Sequence, residues 1–505
     1  MAYSAKGRTK TFSVFDCDSH IYEPPEIWDK YIPQNNRDFA KTHFYRDADR
    51  LFLVRNSRIS FRDPDKWKYP GETWHPGLTK KIIGQTQPGT KEWDETVGRN
   101  KSARDPHARL KDMDASGIDQ VMIFPSTFVY LPLVENADAA YICARAYNDW
   151  AYDYCSADKK RLFPAAVLPT QNVDFAIEEL RRVAKRGFKS ALVRPIIAQG
   201  KYPTFPEYDP LWREFEDLGM VLGMHTFPSR GEAMSPELDQ RMGANRKRLF
   251  SDEDIMVYSP GQFVANIMQI MGSKQAGDAA YGFMAEAMTW TGVVLMTGWL
   301  EKFSRLKVAI LESNSSWLPL VLEKAETYLD LYKHIGEKIG DPHEVFYKQC
   351  FIAFESDEMI TLRLWDLFED IALWSSDMPH LDASDVWEAI DHMDKYKVPQ
   401  SAREKMLGGN ARRLYGIEPE LVVPIVTYLA SRACRITHQN FSACAGRFAR
   451  VFVGLGDGWV ADPGSKPTAD DIAEHLEQVT AADPYTIPTS IFDEVFDVCA
   501  RLGID

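Results

Sequence analysis

Residues 16–24 read Asp16-Cys17-Asp18-Ser19-His20-Ile21-Tyr22-Glu23-Pro24, directly after the run Thr11-Phe12-Ser13-Val14-Phe15. That run is β-prone and predicts a short strand ending near Asp18. Asp18 and His20 are two positions apart, so an extended chain points both the same way. A carboxylate and an imidazole side by side at a strand end make half of a divalent metal site. The same residues also suit a plain turn, because Asp-Ser-His before Glu-Pro-Pro closes a strand well.

Further along, strands and helices alternate. A helix is predicted over residues 107–117, ending at Gly117, and a buried strand over 119–125. Helices over 139–156, 173–186 and 210–218 are interleaved with strands over 162–168, 188–193 and 221–225. Residues 25–105 are rich in Trp, Pro, Arg and Asp and too aromatic to be disordered, so most of that stretch, about 45–105, reads as an insertion. Residues 229–280 read as a second insertion, after the strand that ends in His225. The rhythm then resumes with helices over 283–303, 318–339 and 359–367 and strands over 306–311, 349–354 and 371–374. Counted from Val14, that makes eight strands, which favours a distorted (β/α)8 TIM-like barrel of the α/β class over an open sheet.

Composition narrows the function classes. The 505 residues are 45% hydrophobic, enough for a large core, and the net charge of −14 argues against general nucleic-acid binding. A small anionic substrate held by a few arginines remains compatible. The seven cysteines are scattered without a CxxC pair, which suggests a reducing cytoplasm and no cysteine-based zinc site. The N-terminus lacks the apolar segment of a signal peptide. The apolar run at 281–300 contains Glu286 with several Gly and Thr, which reads as a buried helix and not a membrane span.

Chemistry in such barrels sits at the C-terminal ends of the strands. Those ends carry Asp18 and His20 on strand one, His225 on strand five, Glu312 on strand six and Asp377 on strand eight, with His380 three residues later. One such residue is readily explained as a cap or a satisfied core group. Four apolar strands that finish on His, Asp or Glu are hard to explain by packing, since buried groups of this kind must be paired or ligated.

The sequence resembles the amidohydrolase superfamily at this point, in the branch of aminocarboxymuconate-semialdehyde decarboxylase and related amidohydrolase-2 proteins. The resemblance rests on Asp16-x-Asp18-x-His20-x-x-Glu23-Pro24 with Trp28, Asn148-Asp149-Trp150 before Arg161-Leu-Phe-Pro164, and Gly187-Phe-Lys. It continues in Leu311-Glu-Ser-Asn with Trp317-Leu-Pro319, Ser376-Asp377-Met-Pro-His380 and Gly409-Asn-Ala-Arg412, and covers about residues 11–417. It implies zinc, manganese or iron bound by Asp18, His20, His225 and Asp377. Two departures stand out. The decarboxylases open with His-x-His or Glu-x-His, whereas this chain has Asp18-x-His20. They also carry a histidine at the end of strand six, whereas this chain has none between His225 and His334, and Glu312 takes the place. A carboxylate cannot donate as a histidine does.

Two mechanisms fit. In the first, one metal acidifies a bound water and Asp377 or Glu312 takes its proton, for hydrolysis or metal-assisted decarboxylation and C–C cleavage of a small carboxylated or cyclic substrate. In the second, Glu312 and His380 complete six ligands for two Fe or Mn ions, which resembles amidohydrolase-fold dinuclear oxygenases that hydroxylate unactivated carbons. His380 could equally orient Asp377 from outside the coordination sphere. Arg194, after strand four, is a candidate for a substrate carboxylate or for a salt bridge. A barrel that has lost activity and serves as a scaffold subunit is the alternative outside enzymology.

Residues 418–505 read as a small α+β extension, with helices over 420–431, after Thr468 and near Ile491, and a strand over 447–453. Tyr428-Leu-Ala-Ser-Arg-Ala-Cys434-Arg-Ile-Thr437, Gly446-Arg447, Ala449-Arg-Val-Phe and residues 484–494 resemble the last segment of short-chain dehydrogenases. The cofactor-binding glycines and Tyr-x-x-x-Lys pair of that family have no counterpart in this tail. The resemblance implies a docking or oligomerisation module, in a homo- or hetero-oligomer; a tail that covers its own barrel is the alternative reading.

Overall fold

The computed structural model describes residues 8, 10–24, 26–51, 101–227, 281–333, 339–380 and 383–417. In the C-terminal part it describes 429, 434–435, 440–444, 447–451, 454–488 and 490–503. The second insertion and most of the first lie outside these residues, as does nearly all of the helix expected over 420–431. The chain divides into two compact units, Met1–Ile417 and Glu418–Asp505.

The first unit is a barrel of eight strands: β1 (Phe15–Ile21), β2 (Gln120–Pro125), β3 (Leu162–Val167), β4 (Ser190–Val193), β5 (Val221–His225), β6 (Lys307–Leu311), β7 (Cys350–Phe354) and β8 (Ala372–Trp374). They pair in parallel in chain order, β1 to β8. The ends meet just past β8, where Asp377 N–H donates to the Asp18 carbonyl at 3.0 Å and His20 N–H to that of Met378 at 2.6 Å. The Asp16 carboxylate adds a staple, accepting from the N–H and the hydroxyl of Ser376.

Helices cover the outside: α1 (Arg37–Leu51), α2 (Pro106–Ser116), α3 (Ala137–Cys155), α4 (Val173–Lys185), α5 (Asp209–Leu218), α6 (Phe283–Met296), α7 (Leu318–Tyr332) and α8 (Val386–Lys395), while α9 (Asn410–Tyr415) packs against the barrel interior. Their limits follow from local chemistry. Asp105 caps α2 by accepting from His107 and Ala108 N–H, Pro106 opens it, and Gly117 at φ +81° ends it. The helix expected over 283–303 is two, α6 and a short turn at Trp299–Lys302, because Gly298 at φ +67° breaks it. Among the described residues α7 ends at Tyr332. The helix expected over 359–367 is likewise two short ones, Met359–Arg363 and Trp365–Phe368.

Alternation along the strands sorts the core into two layers. Phe15, Met122, Phe124, Ala165, Leu192, Val221, Ala309, Leu311, Phe351 and Leu373 fill the barrel, closed by Leu414 and Tyr415 of α9. Val121, Ile123, Ala191, Leu222, Met224, Val308 and Ile310 face the helices.

In the second unit, Asn440–Cys444 pairs antiparallel with Arg447–Val451, and Leu455–Gly456 with Tyr485–Thr486. Helices follow at Ala469–Glu474, Leu476–Val479 and Ile491–Leu502. Among the described residues no helix is long and apolar enough to cross a membrane.

Candidate metal centre

The centre lies at the C-terminal ends of β1, β5, β6 and β8, and each strand delivers its residue differently. On β1 a bulge between Asp16 and Ser19 adds one residue against β2. Phe15 lies inside the barrel, and an unbroken alternation from it would turn His20 outward. The extra residue reverses the alternation and sets His20 opposite inward-facing Phe124. On β5, Val221, Gly223 and His225 face inward. A Cβ at Gly223 would lie 2.9 Å from the Phe124 ring, so glycine admits the ring that packs 5.6 Å from His225.

Glu312 follows Leu311, which already faces inward, so regular alternation would turn it away from the centre. It is turned back by a left-handed backbone, φ +48°, and Asn314 and Asp377 share that conformation at φ +54° and +55°. Three non-glycine residues with such backbones at one end of the barrel carry strain of roughly 1–3 kcal/mol each.

The six side chains singled out in the sequence converge. Asp18, His20, His225 and Glu312 form one group and His20, Glu312, Asp377 and His380 another, with ligand atoms within 4.8 Å of one another in each. His20 Nε2 lies 3.5 Å from Asp18 Oδ1, 3.5 Å from Glu312 Oε2 and 3.4 Å from Asp377 Oδ1. His225 Nε2 lies 3.6 Å from Asp18 Oδ1 and 3.1 Å from Glu312 Oε2, and the two Nε2 atoms are 3.3 Å apart. His380 Nδ1 meets Asp377 Oδ1 at 2.6 Å.

Each imidazole is anchored from behind. His20 Nδ1 lies 3.0 Å from the Pro125 carbonyl and His225 Nδ1 2.8 Å from that of Thr226, so both rings donate there and leave Nε2 for the centre. His380 Nε2 meets the Ser126 hydroxyl at 3.1 Å.

The electrostatics are those of a site built for positive charge. Burial alone would raise the Asp18 carboxyl, but the charges of His225 and His20 close beside it hold it below the usual range. Burial opposes charge on His20 as well, yet Asp18 and Glu312 drive its pKa well up. His225 is pushed up to about 9 against burial by Asp18 and Glu312. Glu312 is held low by both imidazoles despite its burial. Asp18 Oδ1 is buried without a hydrogen-bond partner. An orphaned carboxylate oxygen facing two imidazole nitrogens, in a set of N and O donors without thiolate, fits zinc, manganese or iron.

Arg194 is fully buried and already engaged. Its guanidinium donates to the Val129 carbonyl at 3.2 Å and to that of Phe227, and lies 4.0 Å from Glu286 of α6. Glu286 also accepts from Phe227 N–H at 2.8 Å, and burial pushes its carboxyl up to about 7. This partner was missed in the sequence, where Glu286 marked only a polar interruption of an apolar helix.

The profile of the amidohydrolase family matches residues 16–417. The chain belongs to the amidohydrolase family. Among curated relatives, the gamma-resorcylate decarboxylase of Rhizobium sp. (strain MTP-10005) is 33% identical over 139 residues, 26% of this amidohydrolase and 42% of the relative. The gamma-resorcylate decarboxylase of Rhodococcus jostii (strain RHA1) is 34% identical over 147 residues, 27% and 44% of the two chains. The chain thus spans less than half the length of these relatives. Among solved structures, an amidohydrolase of Mycobacterium avium subsp. paratuberculosis superposes with TM-score 0.58 at 17% identity, covering 81% of this chain and all of that one. The 5-carboxyvanillate decarboxylase of Novosphingobium aromaticivorans, solved with manganese and 4-hydroxy-3-methoxy-5-nitrobenzoic acid, gives 0.55 at 15% identity over 80% and 96%. At these identities the structures share the fold.

Proposed function

We propose that this amidohydrolase is a metal-dependent lyase or hydrolase that decarboxylates or hydrolyses a small carboxylated aromatic or cyclic substrate. The observation that carries the reading is the buried, orphaned Asp18 Oδ1 facing His20 and His225. The decarboxylase relatives and the manganese in the 5-carboxyvanillate decarboxylase structure support it. A divalent cation bound by Asp18, His20, His225 and Asp377 would acidify water and polarise a substrate carboxylate. Asp377, the more exposed of the two aspartates, is the proton carrier, and His380 holds its Oδ1. Glu312 accepts hydrogen bonds only, so it serves as a further ligand or as a base, not as a donor to substrate. An approaching carboxylate would face three acids, which makes a bound cation a condition of binding. Arg194 is the candidate contact for that carboxylate, in competition with the carbonyls it now holds.

A second reading, a dinuclear Fe or Mn oxygenase, is favoured by the two overlapping ligand groups. His20 has one free nitrogen, since Nδ1 donates to Pro125, so it can serve a single cation. Glu312 has two oxygens and could bridge. Asp18, His20 and His225 would then hold one cation and Asp377 and His380 the other.

For the protein as a whole, we assign a reducing, cytoplasmic setting, supported by cysteines that are free among the described residues. Residues 418–505 we assign as a short-chain-dehydrogenase-like oligomerisation module.

The test is a panel of 2-hydroxybenzoates, including gamma-resorcylate and 5-carboxyvanillate, with esters and lactones, assayed with manganese or zinc. Carbon dioxide release or hydrolysis that disappears in H225A supports the first reading. Oxygen uptake that requires two iron equivalents replaces it with the second.

A further inference from the structure

Glu312 reaches the centre only because its backbone is left-handed, so something must hold that backbone. The segment after β6 is tied on both sides. Its carbonyls are taken by the Trp317 indole N–H, which donates to Ser313 and Asn314 oxygens at 3.0 Å each. The Thr226 hydroxyl donates to the Glu312 carbonyl. Its donors converge on one carboxylate, Glu358, four residues past β7 and 7% exposed.

The Glu358 contacts are dense. Oε2 accepts from Ser315 N–H at 2.8 Å and Ser316 N–H at 3.1 Å, and lies 3.1, 2.9 and 3.3 Å from the hydroxyls of Ser315, Ser316 and Thr361. Oε1 accepts from Glu355 N–H at 2.9 Å and from the Asn314 amide at 3.3 Å. Two successive backbone N–H groups aimed at one oxygen, after a left-handed residue, form an anion-binding concavity. A carboxylate suits it because both oxygens only accept. An amide in its place would turn an NH2 toward other donors.

We propose that Glu358 is a positioning residue for the metal centre: by gathering residues 314–316 it holds Glu312 in the left-handed conformation that aims its carboxylate between His20 and His225. The proposal rests on the metal-centre reading above. Glu358 is placed among neither ligand group. Its effect on cation binding therefore has to pass through Glu312, which a role in general stability would not require.

The test uses chelator-stripped full-length protein titrated with Mn(II), with free Mn(II) followed by electron paramagnetic resonance. Wild type, E358Q, E312A and the double variant E312A/E358Q form a cycle. E358Q is expected to weaken Mn(II) binding by about 10- to 100-fold, the usual size of an outer-sphere effect. In the E312A background the same substitution is expected to change affinity by less than about twofold, because its route is already removed. Circular dichroism confirms that each variant is folded. If E358Q does not fold, S316A, which removes one donor and keeps the carboxylate, takes its place, with a smaller loss that also vanishes in the E312A background. Unchanged affinity in the folded variant, or an equal loss with and without Glu312, overturns the proposal and leaves the metal reading standing. A wild-type protein that binds no Mn(II), Zn(II) or Fe(II) overturns both.

Discussion

Oε2 of Glu312 lies 3.1 Å from Nε2 of His225. The alternation along β6 opposes that contact, and the left-handed backbone at Glu312 restores it. The chain therefore holds a strained acid where the resemblance led one to expect a histidine. The expected use of that acid is cation binding. E312Q keeps the shape and removes the charge, and is expected to weaken Mn(II) affinity by at least about tenfold. Titration of metal-free protein checks this. Equal affinity in E312Q would reduce Glu312 to a base or a substrate contact.

Cation binding should also depend steeply on pH. His20 and His225 are both raised in the metal-free centre, His225 to about 9. A cation needs the neutral imidazoles, so binding displaces protons and affinity falls as pH falls below about 9. The stability of the metal-free protein runs the opposite way. A raised folded-state pKa contributes stability that is complete below about 6.5, the unfolded value, and is lost as pH rises through about 9. Urea unfolding at pH 6, 7.5 and 9 is expected to show the metal-free protein losing stability with pH and the loaded protein gaining relative to it. Parallel curves would contradict the assignment.

Arg194 and Glu286 should behave as a buried pair. R194A would leave Glu286 buried without its cation and two carbonyls without their donor, and is expected to cost about 3–5 kcal/mol. E286Q is expected to be milder, since burial already pushes that carboxyl up to about 7. The double variant R194M/E286Q is expected to recover much of the loss, as read by urea midpoints. If it folds and KM for a carboxylated substrate is unchanged, Arg194 has no part in substrate binding.

The C-terminal unit carries its own expectation. Truncation after Gly416 is expected to shift the protein to a smaller assembly in sedimentation analysis. A soluble truncation with unchanged oligomeric state removes the docking assignment.

Much of the barrel was legible because its strands are apolar runs that end on or just before a polar residue, as at Val221–His225 and at Val308–Leu311 before Glu312. What escaped depends on backbone irregularity. The first strand was expected to end near Asp18 but runs to Ile21, since the bulge that orients His20 leaves no mark in residue type. The kink at Gly298 was readable in principle, as a glycine within a helical pattern. Glu286 and Glu358 were not, because each acts on a segment far away in sequence, and a lone acid near a helix start looks like any other. Trp317 was noticed as part of a motif, but its indole contacts with Ser313 and Asn314 need the folded turn.

The most direct measurement is metal content of the full-length protein, purified without chelators from medium supplemented with iron, manganese and zinc, beside H225A. About one or two equivalents of zinc, manganese or iron in the wild type, and a large loss in folded H225A, is the result expected of a centre built on Asp18, His20, His225 and Glu312. A wild-type protein without metal, or an H225A protein that keeps it, would contradict that centre.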